Sequence, residues 1–128
     1  MIVEKQNDTI FFGEGKNGAM TIDESTFQTL ADETLARMMD TLEEAVGDQL
    51  DVDLQDGILT IELDSGGQYV INKHAPNRQI WMSSPVSGAS HFDSDGHGGW
   101  VRTRGAGTLA AMLSAELAAA TGETVDLG

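Results

Sequence analysis

The chain has 128 residues, enough for one domain with a hydrophobic core and too few for two domains of ordinary size. Its formal net charge of −14 would repel the phosphate backbone of nucleic acids and anionic membranes, so we expect neither as a partner. Because the chain has no cysteine, it cannot form disulfides, use a thiolate in catalysis or ligate an iron–sulfur cluster through its own thiolates.

Residues 1–19 contain one short apolar patch between polar and glycine-rich flanks. A periodic hydrophobic pattern begins only after them, so we predict a flexible N-terminal extension over residues 1–19 and a single domain over residues 20–128. The alternative is a short added strand within the extension. There is no signal-peptide or transit-peptide pattern and no apolar run of about 18 residues, so we expect a cytoplasmic protein.

Between Phe27 and Val46, apolar residues recur every three or four positions, which predicts an amphipathic helix. Asp23 or Ser25 can cap its start, and Gly47 ends it. Carboxylates fill the opposite side and continue into the following strand: Asp32, Glu33, Asp40, Glu43, Glu44, Asp48, Asp51 and Asp53. Like charges at these spacings destabilise a helix by a few tenths of a kcal/mol per pair. Their accumulation favours a surface that meets cations or a basic protein; the alternative is a solvated helix whose charge serves solubility.

After Gly47 the hydrophobic period changes from 3.6 to 2, which indicates strands. We predict strands over residues 51–55, 58–63, 68–73, 79–83, 90–93 and 100–103. Thr108 is the predicted cap of a second helix that ends at Gly122, with a core-facing stripe of Leu109, Met112, Leu113, Leu117 and Ala120 and a tail in which Val125 and Leu127 cover the helix pair. The turns are too short for parallel crossovers. The prediction is an α+β fold: a two-layer sandwich with two helices on one face of an antiparallel five- to six-stranded sheet.

The fourth predicted strand places Trp81 on the outer face of this sheet. If Ile80 and Met82 enter the core, Gln79 and Trp81 point the other way. Trp81 then lies near Asn72 and His74 of the neighbouring strand. A large aromatic residue among amides is typical of a protein-binding anchor. The alternative is a half-buried Trp that stabilises the sheet.

Other chemistries have weaker support in the sequence. The segment from Asp51 to Glu62 has the carboxylate spacing of a calcium loop, but its glycine is displaced and a strand follows, so it does not predict an EF-hand. Open carboxylates would still attract hard cations weakly. His74, His91 and His97 lack the spacing of a helical metal pair and are expected at the surface. No motif predicts a catalytic residue.

One run of residues resembles the frataxin family, whose bacterial form is called CyaY. It reads Asn-Lys-x-x-Pro-Asn-x-Gln-Ile-Trp from Asn72 to Trp81, and continues with Ser83-Ser84-Pro85, Ser87-Gly88, His91-Phe92-Asp93 and Trp100-Val101. The order of elements and the acidic first helix agree with that family. His74 stands where the family often has glutamine, and the glycine-rich segment around His97 departs from the usual pattern.

The resemblance implies an iron-binding protein that assists or regulates iron–sulfur cluster assembly by docking on the cysteine desulfurase and scaffold complex. The eight carboxylates named above would form the surface for iron, Fe²⁺ or Fe³⁺, and for the desulfurase, while Asn72, His74, Gln79 and Trp81 would contact the complex. We expect the protein to be a monomer in the absence of iron. We do not expect it to be an enzyme. The alternative is a ferroxidase or iron-storage protein that forms iron-loaded oligomers. An acidic mimic of nucleic acid would explain the charge but leaves Trp81 without a purpose.

Overall fold

The structure, a computed structural model, describes residues 22–128, so the predicted extension over residues 1–19 lies outside the described part of the chain. Two α-helices, α1 and α2, enclose a meander of six strands. Their bounds are α1 Glu24–Val46, β1 Leu50–Gln55, β2 Ile58–Leu63, β3 Gln68–His74, β4 Gln79–Ser84, β5 Gly88–Ser94, β6 Trp100–Arg102 and α2 Leu109–Thr121. Within residues 22–128, no helix has the length and apolar character needed to span a membrane.

The first helix begins and ends where its sequence predicts. Asp23 is the N-cap, and its carboxylate accepts a 2.7 Å hydrogen bond from the Thr26 amide, which also holds the pKa of Asp23 below its usual value. The helix ends at Gly47. Its buried face is the predicted apolar stripe: Phe27, Ala31, Thr34, Leu35, Met38, Leu42 and Val46. The opposite face is free to carry charge.

All six strands pair antiparallel in sequence order, β1-β2-β3-β4-β5-β6. The first turn sets the register: Asp56 and Gly57 both have positive φ, 53° and 76°, as a two-residue hairpin turn that matches the twist of the strands requires. The fold class is therefore confirmed, with six strands. The connection between β4 and β5 is shorter than predicted, because β4 continues to Ser84 and β5 starts at Gly88.

The second helix is capped by Thr108, whose hydroxyl accepts from the Ala111 amide at 3.1 Å. Leu109, Leu113 and Leu117 are its buried residues. Met112, predicted on the same stripe, is half-buried against the core, whereas Ala120, also predicted there, is exposed near the end of the helix. The tail completes the core as predicted: Val125 and Leu127 are both buried.

Two polar contacts join the layers inside the fold. The indole N–H of Trp100 donates to the Thr34 hydroxyl at 2.9 Å, and its ring packs edge-on against Phe27 with the ring centroids 5.9 Å apart. On the same face of the sheet, α2 contributes Glu116, whose carboxylate accepts hydrogen bonds from β3, β4 and the turn after β4. Each helix is thus tied to the sheet by polar groups as well as by apolar packing.

Candidate functional site

The structure places the predicted acidic residues on the outside of α1, on the following turn and on β1. We call this set the acidic surface: Asp32, Glu33, Asp40, Glu43, Glu44, Asp48, Asp51 and Asp53, all of which are exposed. Glu43, Glu44, Asp48 and Asp51 line an open depression of about 550 Å³ between the end of α1 and the start of β1. The helix and the hairpin therefore contribute charge to one continuous patch.

Strand β2 extends the acidic surface beyond the predicted residues. Glu62 lies directly opposite Asp51 in the β1–β2 register. Together with Asp64, these two residues line a second open depression, of about 380 Å³. Sequence reasoning omitted Glu62 and Asp64 from the acidic surface. The signal that could have found Glu62 is the Asp56-Gly57 turn, because a two-residue turn fixes which residues face each other.

One member of the acidic surface is neutralised by a neighbour. The Asp32 carboxylate lies 2.7 Å from the Lys73 ammonium of β3, which also donates to the Gln28 side chain at 2.6 Å. Asp32 therefore belongs to a contact between α1 and β3, whereas Asp51 and Asp53 lie on β1, with β2 between the two strands. The role of Asp32 in binding iron stays a prediction. The Lys73 ammonium beside it would compete with a metal cation for its carboxylate.

The acidic surface is open rather than folded into a cage. Over residues 22–128, no three side chains of the His, Asp and Glu type converge into a group that could enclose a metal ion. This applies also to His97, which is exposed on the glycine-rich tip, where its backbone amide donates to Asp95 at 2.7 Å. That bond and one from Gly99 hold the pKa of Asp95 below its usual value.

On the outer face of the sheet, Trp81 is clamped between two histidines. Its ring stacks on His74 of β3, with centroids 3.6 Å apart and planes 8° apart, and on His91 of β5, at 4.2 Å and 11°. The predicted orientation of Trp81 is confirmed, since Ile80 and Met82 are buried and Trp81 is half-buried. His91 was not predicted as part of this site. In the β4–β5 register it stands directly opposite Trp81.

Gln79 holds the Trp81 ring in place through a hydrogen bond. It is only 9% exposed, and its carbonyl accepts the Trp81 indole N–H at 2.8 Å. Its amide nitrogen donates to Asp93 at 3.1 Å and to Thr103 at 3.2 Å. Gln79 therefore fixes the indole and presents little surface of its own to a partner, so that its direct contact with one stays a prediction.

Asn72 and His74 complete the predicted face. Asn72 lies opposite Trp81 in the β3–β4 register and is partly exposed. The Nδ1 atom of His74 is buried, and among the described residues it has no hydrogen-bond partner. The ring of His74 is thus held by stacking on Trp81. The structure brings Asn72, His74, Gln79 and Trp81 together, as predicted, and adds His91.

Comparisons with known proteins agree with this architecture. Residues 20–123 match the sequence model of the frataxin-like domain. The mitochondrial frataxin of Arabidopsis thaliana is 40% identical over 112 residues, which are 83% of this chain and 59% of the plant protein. The iron-sulfur cluster assembly protein CyaY of Thioalkalivibrio sulfidiphilus is 36% identical over 105 residues, which are 80% of this chain and 96% of that protein. The chain spans less than two thirds of the length of the mitochondrial relatives from Arabidopsis thaliana and Schizosaccharomyces pombe.

Solved structures show the same fold. Frataxin from Psychromonas ingrahamii superposes with a TM-score of 0.75 at 28% identity, over 84% of this chain and 99% of that one. A trimeric frataxin from Saccharomyces cerevisiae gives a TM-score of 0.65 at 41% identity, over 73% and 80% of the two chains. A further structure of the trimeric yeast protein, described as a ferrous complex, gives a TM-score of 0.65 at 40% identity, over 73% and 87%.

Proposed function

The chain belongs to the frataxin family, which includes the CyaY proteins, and on this premise we propose that it assists or regulates iron–sulfur cluster assembly by docking on the cysteine desulfurase and scaffold complex, with iron as its cargo. A relative of which the chain covers nearly the whole length is named as an iron–sulfur cluster assembly protein. The chain itself cannot hold a cluster through cysteine, since it has none. It would therefore act on the assembly through its surfaces.

The observation that supports this proposal is the presence of two chemically different surfaces that one assembly can reach. Asp51 and Asp53 are exposed on β1, and Trp81 is on β4 of the same sheet, on the face away from the helices. Three strand spacings separate β1 from β4, which is roughly 14 Å. A protein partner that covers a standard interface of about 800 Å² would contact both surfaces at once.

The two surfaces would contribute differently to binding. The acidic surface would attract a basic patch on the desulfurase over a distance and so increase the association rate. The Trp81 stack would exclude water at short range, which is how aromatic anchors stabilise a complex and slow its dissociation. The stacked histidines and the Gln79 hydrogen bond hold the indole in place before binding, so that little side-chain entropy is lost on docking.

The experiment is charge reversal in the acidic surface. We expect the triple variant Asp40→Lys, Glu43→Lys and Glu44→Lys to associate with the desulfurase about tenfold more slowly than wild type at low salt, because long-range attraction is lost. The association rate would be measured by stopped flow. The matched control is Glu24→Lys, Val86→Lys, Ala119→Lys and Asp126→Lys, which changes the net charge by the same amount at exposed sites outside the acidic surface.

Two results would count against the proposal. One is an unchanged association rate in the acidic-surface variant at low salt. The other is an equal decrease in the acidic-surface variant and the control variant, because net charge alone would then explain the effect. Circular dichroism and thermal unfolding would establish that each variant keeps the native fold, as substitutions at exposed positions should.

The second candidate is a ferroxidase or iron-storage protein, which the trimeric and ferrous yeast structures favour. In aerobic and anaerobic Fe²⁺ titrations followed by size analysis, this candidate requires oxidation above the uncatalysed rate and growth of oligomers. Our proposal expects weak Fe²⁺ binding to the monomer that the acidic-surface variant reduces and the control variant keeps. Fe²⁺-dependent oligomers with catalytic turnover would favour the second candidate.

A further inference from the structure

Strand β1 is the first strand of the sheet, and only β2 pairs with it among residues 22–128. A terminal strand presents a row of backbone N–H and C=O groups that another chain can use for pairing. The opposite end of the sheet is shorter, since β6 has three residues and is covered at one point by a bridge between Val101 and Thr108. The edge of β1 is six residues long.

The hairpin turn decides which groups of β1 point outwards. With two residues in the turn, Gln55 and Ile58 form a hydrogen-bonded pair, and alternate residues along β1 follow this pattern. The backbone N–H and C=O groups of Asp51 and Asp53 therefore bond to β2. The N–H and C=O groups of Leu50, Val52 and Leu54 point away from the sheet.

Two backbone hydrogen bonds outside the strands fit this alternation. The Asp64 amide donates to the Gln49 carbonyl at 3.1 Å, which continues the Asp51–Glu62 pairing by one step. On the other side of β2, the Lys73 amide donates to the Gly57 carbonyl at 3.0 Å. The backbone hydrogen bonds at both ends of β2 thus follow the alternation that the hairpin turn sets.

The side chains next to this edge are acidic on the outer face of the sheet. Asp51 and Asp53 are exposed there, and Glu62 stands opposite Asp51. On the inner face, Val52 and Leu54 are half-buried, and Val52 lines the same depression as Glu43, Glu44 and Asp48. An added strand would place alternate side chains on these two faces, and both offer carboxylates.

We propose that the outer edge of β1 pairs with an extended segment of a protein partner that is rich in lysine and arginine and adds to the sheet as a seventh strand. Its outward basic side chains would meet Asp51 and Asp53. Its inward ones would lay their apolar stems on Val52 and reach Glu43, Glu44 or Asp48 with their charged ends. This inference rests on the proposed function for the identity of the partner, the desulfurase and scaffold complex.

Charge complementarity favours a basic partner over the chain's own N-terminal residues as the occupant. Residues 1–21 carry three carboxylates, Glu4, Asp8 and Glu14, against Lys5 and Lys16. A segment with a net negative charge would be repelled by the acidic surface, whereas a basic segment would be attracted to it before the backbone pairs.

The first test is amide hydrogen exchange in the full chain, followed by NMR. The probe is a capped peptide of alternating lysine and valine, as long as β1. We expect the Val52 and Leu54 amides to exchange quickly in the free chain, unlike those of Asp51 and Asp53, and to slow by about tenfold or more with the peptide. The control peptide has the same side chains but carries N-methyl groups on all of its backbone amides, so that it keeps the charge and has no backbone N–H left for strand pairing.

The second test removes one backbone donor. Val52→Pro deletes an outward N–H and leaves the bonds to β2 intact, as proline on an edge strand allows. We expect it to weaken binding of the lysine–valine peptide, and of the desulfurase and scaffold complex, by about tenfold. Val52→Ala trims the same side chain but keeps the donor, and should weaken binding by less than threefold. Retention of the native fold is checked by thermal unfolding.

Three outcomes would overturn the proposal. One is equal protection of Val52 and Leu54 by both peptides. Another is protection of these amides in the free chain, since its own N-terminal residues would then occupy the edge. The third is that Val52→Pro binds the lysine–valine peptide and the desulfurase and scaffold complex as tightly as wild type does. If Val52→Pro binds normally while the acidic-surface variant does not, the edge pairing fails and the proposed function stands. If the complex does not bind wild type at all, the proposed function fails, and the peptide still tests the edge.

Discussion

At the scale of single residues, Trp81 is more than an exposed aromatic ring. His74 and His91 cover its two faces, and Gln79 accepts its N–H, so that only its edge and the adjoining rings remain for a partner. An indole held in this way loses little rotamer freedom when a complex forms. The clamp therefore suits an anchor, and it also explains how a large apolar side chain is tolerated on the outside of a sheet.

We predict that Trp81→Ala weakens binding to the desulfurase and scaffold complex by about 2 kcal/mol, roughly thirtyfold, because an aromatic anchor is truncated. His91→Ala should have a smaller effect, since the indole keeps its contact with His74 and its bond to Gln79. The affinities would be measured by isothermal titration calorimetry. If Trp81→Ala instead unfolds at lower temperature and the folded fraction binds normally, Trp81 stabilises the sheet and is not an anchor.

At the scale of elements, Glu116 joins α2 to the sheet. Its carboxylate accepts from the Tyr69 hydroxyl at 2.9 Å, from Ser84 at 2.6 Å and from Ser87 at 2.7 Å. The Ser84 hydroxyl also accepts the amides of Val86 and Ser87, so the same group fixes the turn between β4 and β5. The network thus holds the far end of the strand that carries Trp81.

The network also shifts two pKa values. Burial alone would raise the pKa of Glu116, but the hydroxyls of Ser84, Ser87 and Tyr69 outweigh it and lower the pKa below its usual value. Burial first, and then the hydrogen bond to Glu116, raise the pKa of Tyr69 to about 12. Because the folded chain favours the ionised carboxylate, Glu116 stabilises it above the pKa of the unfolded chain, and this contribution is lost as the pH falls through the folded pKa.

We predict that Glu116→Gln lowers the free energy of unfolding at neutral pH by about 2 kcal/mol, because the amide cannot accept all three hydroxyls as a carboxylate does. The variant should also lose less stability than wild type when the pH falls below about 4, since it no longer has this carboxylate to protonate. Urea unfolding at both pH values measures this. The control Glu123→Gln changes an exposed acid whose contact is a 3.0 Å bond from Gln49. Parallel pH profiles for wild type and Glu116→Gln would contradict the prediction.

At the scale of the whole molecule, the net charge of −14 is arranged unevenly. The acidic surface gathers carboxylates from α1 and β1, and Glu62 extends it onto β2, whereas the outer face of β3 to β5 carries the aromatic stack. An uneven field orients a protein as it approaches a basic partner. The fold thus separates the charged groups that would control the association rate from the aromatic groups that would control the dissociation rate.

We predict that raising the salt concentration from about 0.05 M to 0.5 M slows association with the desulfurase more than tenfold while changing the dissociation rate by less than threefold. Screening acts on exposed charges at long range and hardly on a desolvated aromatic contact. Surface plasmon resonance at several salt concentrations would measure both rates. A dissociation rate that rises as steeply as the association rate falls would contradict this separation of roles.

Much of this architecture could be predicted from the sequence because it depends on local rules. Alternation and helical periodicity predicted both helices and all six strands, and side-chain chemistry predicted the cap Thr108 and limited the first cap to Asp23 or Ser25, of which the structure shows Asp23. The outward orientation of Trp81 followed from its neighbours Ile80 and Met82 in the same way. The acidic face of α1 is a property of one helix, so no tertiary contact was needed to see it.

The tertiary structure decided what lies beside these groups. His91 covers Trp81, Lys73 neutralises Asp32, and Trp100 bonds to Thr34, although each pair joins different elements of the chain. Such contacts depend on the register and on how the two layers pack, which a period of 2 or 3.6 does not encode. The sequence by itself determined the elements and their faces, since these depend on neighbours a few residues away. Only the folded sheet could determine which faces meet and which strand has a single partner among residues 22–128.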